Sequence, residues 1–156
     1  MKTKFILTTV LCIGCLWAAA CGFVDGGGSS GMQKVFADME NAIKNSNESE
    51  FKQHWLAEGY SKNLVGRSGL EGSRLFAQGS RKKWFLKPDY SKTVRQGKVD
   101  IYRCDVYSWE KDKSVDEVFL AVSADDLKVL GGGEDFEEVK KLAERFNAGA
   151  PLEASK

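Results

Sequence analysis

The chain has 156 residues, with 23 basic and 22 acidic side chains, a formal net charge of +1 and 42% hydrophobic residues. That length supplies one ordinary domain with a sizeable core and leaves little room for two. The near balance of charge lacks the basic excess on which nucleic-acid binders depend, so a nucleic-acid partner is not expected.

In chain order, a candidate targeting segment comes first. Met1-Lys2-Thr3-Lys4 carries two positive charges, residues 5–17 are mostly apolar, and Ala18-Ala19-Ala20 places small residues before Cys21. This is the order of a secretory signal over residues 1–20. Taken through Ala20, the apolar run is 16 residues with two threonines inside, short of the roughly 18–20 that span a bilayer core as a helix. Small residues directly before a cysteine resemble the lipobox of bacterial lipoproteins. The resemblance implies a diacylglyceryl group on Cys21 Sγ, cleavage after Ala20, and acylation of the freed amine by a fatty acyl group such as palmitate. The family prefers Leu three places before the cysteine, where this chain has Ala18 beside bulky Trp17. Ile13-Gly14-Cys15 is the rival, but only residues 5–11 would remain as its apolar run. Cys12 and Cys15 also read as C-x-x-C, a pair that would have no fold around it inside a discarded segment.

Removal of residues 1–20 takes Lys2 and Lys4 and no acid, so 21 basic and 22 acidic side chains remain on 136 residues. With Cys21 acylated, Cys104 is the one thiol left, and stability is expected to come from packing rather than a disulfide. Residues 22–31, "GFVDGGGSSG", hold five glycines and two serines and read with Cys21 as a flexible tether, residues 21–31. Two or three acyl chains make a stable anchor where one does not. Gly22 after the cysteine favours the outer membrane where one is present.

The folded part is expected over residues 32–147. Val35, Phe36, Met39, Ala42 and Ile43 recur at helical spacing and predict a helix over 32–45. "NSNES" offers caps for a second helix carrying Phe51, Trp55 and Leu56 before Gly59. A third, short helix is expected over 69–79. From Trp84 onward β-branched and aromatic residues come in short runs and predict strands at 83–87, 93–96, 98–109, 115–123 and 127–130. The pair "KVDIYRCDVYSW" and "SVDEVFLAVS", joined by a polar turn at 110–113, is the clearest hairpin. A last helix over 135–146 has acids at its start and Arg145 near its end, and residues 148–156 read as a frayed tail. Helices followed by antiparallel strands make the fold class α+β.

The helical hairpin "VFADMENAIKNSNESEFKQHW", the short third helix and the strands ending in "DDLKVLGGGED" resemble the nuclear transport factor 2-like superfamily, a cystatin-like α+β group. The resemblance covers residues 32–130. It implies N-terminal helices packed on a curved, cone-shaped antiparallel sheet, with the C-terminal helix as an addition. It also leaves function open, because that superfamily hosts enzymes, binding proteins and secretion-system scaffolds.

No motif names a reaction. "KVLGGGEDFEEV" sets glycines between a strand and a helix, as phosphate loops do, yet lacks Gly-Lys-Ser/Thr and is ringed by Glu134, Asp135, Glu137 and Glu138. A tight turn with glycine at positive φ is the simpler expectation. His54 is the sole histidine and sits beside Trp55 at the edge of an apolar stripe. Asp100, Asp105, Asp116 and Glu117 lie on the central hairpin. The superfamily resemblance directs catalytic suspicion to Asp100 and Asp116, whereas cross-strand pairing with Arg103 or Lys98 explains them as structure. Arg74, Arg81, Lys82, Lys83 and Lys87 surround Trp84 and Phe85, a mix suited to an acidic partner or a lysine-guarded strand edge. Cys104 is expected to pack as a small hydrophobe. One His and one unpaired Cys make no zinc set, so neither metal nor cofactor is expected.

The residues therefore lead to a cell-envelope lipoprotein, lipidated at Cys21, with its domain facing the periplasm or exterior. That domain is expected to bind a protein partner or small ligand of unknown identity without catalysis. The alternatives are an isomerase, dehydratase or cyclase, with a cone walled by Phe51, Trp55, Phe85, Tyr102 and Phe119, and a structural component of an envelope secretion assembly.

Overall fold

Apolar spacing sets the first helix. A computed structural model describes residues 30–153; the expected signal segment, Cys21 and tether residues 22–29 lie outside them. Helix α1, Ser30–Lys44, buries Met32, Val35, Phe36, Met39, Ala42 and Ile43 along one stripe. Helix α2, Glu48–Gln53, is capped by Asn47, whose side chain accepts from the Glu50 N–H at 3.2 Å. It stops short of Trp55 and Leu56, which sequence periodicity assigns to it. The reason is tertiary: Trp55 forms a parallel bridge with Val129, the Val129 N–H donates to the His54 carbonyl, and the Leu56 N–H donates to the Val129 carbonyl, each at 2.8 Å. The chain then resumes as α3, Ala57–Ser61.

The expected helix over 69–79 starts later. Gly69–Leu70 is a short strand, β1, and the helix, α4, runs Gly72–Lys82 before Lys83 ends it in the left-handed conformation. The remaining strands are β2 (Trp84–Pro88), β3 (Val94–Gln96), β4 (Val99–Ser108), β5 (Lys113–Ser123) and β6 (Val129–Gly133). All pair antiparallel in the order β1-β6-β5-β4-β2, and the sheet is open. Strands β2 and β3 share one edge of β4, β2 along residues 104–108 and β3 along 99–101. The single-turn helix Tyr90–Lys92 makes the corner between them.

The three glycines of "LGGGED" are strand, not turn. Residues 131–133 are buried in β6, and none has positive φ. Their role is close approach: a β-carbon on Gly131 would stand 2.8 Å from Leu142 Cδ2, and one on Gly133 2.9 Å from the Ser68 carbonyl oxygen. The tight-turn expectation fails because packing demands, not backbone freedom, select glycine there.

Alternation along β4 divides the core. Tyr102, Cys104 and Val106 point to an inner face with Val118, Leu120 and Val122, and α1, α2 and α4 cover it. Val99 and Ile101 point to the outer face, where α5, Phe136–Asn147, lays Val139, Leu142 and Ala143 on them. Asp135 caps α5 by accepting from the Glu137 and Glu138 N–H groups. At its other end Asn147 donates to the Gln96 carbonyl and accepts from the Lys98 N–H, which ties α5 to the β3–β4 turn. Beyond α5, Leu152 lies against this outer cluster.

The inner core is rich in aromatic contacts. Phe51 lies 5.8 Å from Trp55 and 5.4 Å from Phe76, and Phe36 meets Tyr102 edge-on at 5.5 Å. Each such side chain contributes roughly 1.5–3 kcal/mol by burial. Phe119 and Phe85, expected in the cone wall, are elsewhere. Phe119 meets Phe136 of α5 at 5.5 Å, and Phe85 stacks on Trp109 at 5.9 Å.

Candidate functional site

Strand β5 holds one residue more than β4, 11 against 10. The surplus is taken up where Val106 pairs with Asp116 but Tyr107 pairs with Ser114, so Val115 opposes nothing. A bulge of this kind re-aims neighbouring side chains. In a regular strand Val115 and Asp116 would point to opposite faces, but here both line one cavity.

That cavity has a volume of about 400 Å³ and lies between α4 and the turn end of the β4–β5 hairpin. Leu70, Leu75, Trp84, Val106 and Val118 make its apolar wall. Arg74, Gln78 and Lys82 reach it from α4 at spacings of four residues, which sets them on one helix face. Asp116 enters from β5 and Glu134 from just beyond β6, while Lys111 and Ser108 stand at the hairpin end. Ser108 is buried, and its hydroxyl accepts from the Lys111 N–H at 3.3 Å. The Asp116 carboxylate accepts from the Glu117 N–H at 2.8 Å. Among the described residues, none of Arg74, Lys82, Lys111, Asp116 and Glu134 is in an ion pair.

The residues singled out by sequence do not converge. His54 lies at the join of α2 with the chain crossing, its Nε2 4.0 Å from Asp38 Oδ2, and burial lowers its pKa despite that carboxylate. It does not line the cavity. Asp100 is on the inner face but at the far end of β4, held by both nitrogens of an Arg95 fork, one at 2.9 Å. Glu117 pairs with Arg103 on the outer face, as cross-strand pairing predicts, and Asp105 lies opposite Lys87. Asp100 therefore uses Arg95 rather than Arg103 or Lys98. Asp116 alone of the four carboxylates enters the cavity.

The basic cluster splits in the same way. Arg74 and Lys82 face the cavity, Lys83 terminates α4, and Lys87 stands 5.5 Å from the Tyr107 ring centre. Cys104 is fully buried on the inner face, and burial, the larger cause, with Asp105 pushes its thiol pKa far up, so it packs rather than reacts. Tyr102 beside it is pushed up to about 12, chiefly by burial. A second depression, lined by Gln33, Phe36, Glu40, Leu86, Pro88 and Tyr90 among others, follows the β2 edge. Its one acid, Glu40, is already paired with Lys44. Among the described residues no cluster of three or more His, Cys, Asp or Glu side chains could hold a metal ion, and no helix is long and apolar enough to cross a membrane.

Comparison of the chain with protein-family models, with curated proteins and with solved structures found no match. The cavity residues Val115, Gln78, Ser108 and Lys111 carry no sequence signal of their own. Periodicity places Val115 on the outer face, but at the bulge it borders the cavity while staying 44% exposed.

Proposed function

We propose that this chain is a bacterial cell-envelope lipoprotein, anchored through lipid on Cys21, whose domain is a nuclear transport factor 2-like cone that binds a small ligand at its mouth without transforming it. The carrying observation is the cavity between α4 and the hairpin end. It sets apolar side chains beside charged groups that form no ion pair among the described residues, and its volume falls within the range of about 300 to 1,000 Å³ of small-molecule sites. The anchor reading rests on the charged start, the apolar run and the small residues before Cys21. The open antiparallel sheet with helices on its inner face supports the cone. Against catalysis stands the separation of His54 and Asp100 from Asp116, since acid–base work needs its donor and acceptor within reach of one point.

One observation favours an isomerase- or dehydratase-type enzyme instead: Asp116 enters a cavity with Arg74 and Lys82 on its opposite wall.

Two measurements test the proposal. Mass spectrometry of the chain from its native membrane is expected to find an N-terminal peptide beginning at Cys21 with acyl mass; unmodified Cys21 would sink the anchor. Saturation-transfer NMR with indole, a neutral apolar probe, is expected to show contact with the full chain in dodecyl maltoside that Val118→Trp abolishes. Equal transfer to both forms in the same detergent defeats the binding site.

A further inference from the structure

Apart from Lys111 at the hairpin end, the charged groups of the mouth divide by wall. Arg74 and Lys82 stand on α4 with Gln78 between them, whereas Asp116 and Glu134 stand on the sheet side. None of the four is within 4.0 Å of an opposite charge among the described residues. The cavity between them, about 400 Å³, keeps the two sets apart, with Leu75, Trp84 and Val118 as the apolar part of its floor. A ligand carrying one sign of charge satisfies one wall and meets repulsion from the other. An uncharged apolar ligand such as indole covers the floor but removes water from both sets of charges without replacing it, so it makes contact there only weakly. A molecule with an anionic group, a cationic group and an apolar body between them satisfies all three surfaces at once.

We infer that the ligand of this cavity is a zwitterion with an apolar body, of the class of a short apolar peptide with free termini. Its carboxylate faces Arg74 and Lys82, its ammonium faces Asp116 and Glu134, and its apolar side chains lie on Leu75, Trp84 and Val118. Arg74 is the specific element for the carboxylate, because a guanidinium fork matches two carboxylate oxygens. The Val115 bulge serves the same end by delivering Asp116 and an apolar side chain to one place. The inference rests on the binding-site reading above and adds the identity of the ligand class.

Calorimetry on the full chain in dodecyl maltoside tests it with four probes: leucyl-leucine, its N-acetyl derivative without the cation, its amide without the anion, and glycyl-glycine without the apolar body. Leucyl-leucine is expected to bind at least tenfold more tightly than each of the other three. Arg74→Gln is expected to erase the preference of free dipeptide over amide and keep the preference over the acetyl form; Asp116→Asn is expected to do the reverse. Tighter binding of the acetyl form overturns the zwitterion in favour of an anion, and tighter binding of the amide overturns it in favour of a cation. Absence of binding by every probe overturns it as well. In each of those cases indole contact that Val118→Trp abolishes preserves the binding site itself, and loss of indole contact shows that the site reading has failed too.

Discussion

Gly59 separates a local from a tertiary account of this fold. On helix propensity alone Gly59→Ala in α3 stabilises, by about 1 kcal/mol, and φ at this position is not in the left-handed region. Packing reverses the sign. A β-carbon at Gly59 would stand 2.0 Å from the Leu130 carbonyl oxygen and 2.7 Å from its carbon, both backbone atoms of the buried strand β6. To regain ordinary contact near 3.4 Å the helix must retreat by roughly 1.4 Å, against the Leu56–Val129 bond that sets the path of the chain into it. Overpacking of this kind costs about 1–3 kcal/mol and sometimes more; a rigid backbone neighbour places it at the upper end, so a net loss of about 2 kcal/mol is expected after the propensity gain. Urea unfolding is the assay, with an unchanged m-value and a lower midpoint, and thermal unfolding is expected to drop by about 8 °C. Gly149→Ala is the control: φ is +64° and nothing lies within 4 Å, so it loses about 1 kcal/mol through backbone strain alone. A Gly59→Ala chain as stable as the parent, or more so, refutes the claim that β6 fixes α3 by contact.

Burial lowers the His54 pKa in the folded chain; the unfolded chain therefore binds more protons below the ordinary value of 6.5, and stability should fall as pH drops through 6.5 toward the depressed folded value and then level off. Unfolding midpoints from pH 7.5 to 5 check this, and His54→Gln should remove that part of the slope; an unchanged slope shows that another group causes it. Cys104 is expected to resist an alkylating reagent, mapped by mass spectrometry, until the domain is unfolded, because its thiol is buried and its pKa raised; labelling at the native-state rate of an exposed thiol contradicts its packing. Glu117→Gln breaks the Arg103 pair on the outer face, where both side chains are more than one-third exposed, and should leave the urea midpoint almost unchanged even at low salt; a large fall would show that the pair organises the sheet.

What the sequence discloses and what it hides follow one physical division. Features with a period are legible: the α1 stripe from Met32 to Ile43, the alternation that sorts Tyr102 and Cys104 from Ile101 and Arg103, and the hairpin joining β4 to β5 all act through neighbours within a few residues. Features created by contact across the chain are not. The second helix ends at Gln53 because Val129, far along the sequence, takes the backbone of His54 and Leu56. The segment 69–70 is a strand rather than helix because Gly132 and Gly133 are there to pair with it. The glycine run reads locally as a turn and is in fact a buried strand, because glycine answers two different demands, positive φ and close approach, and a sequence shows only the residue. The candidate site lies on this hidden side. Arg74, Lys82 and Asp116 are visible as charges, but the place of Val115 beside the cavity depends on one surplus residue in β5, and two registers of the same hairpin, with and without the bulge, share nearly the same alternation. Deleting Val115 should therefore leave a folded hairpin and remove indole contact at the mouth. Retention of that contact would mean that the bulge is incidental and that α4 alone defines the cavity.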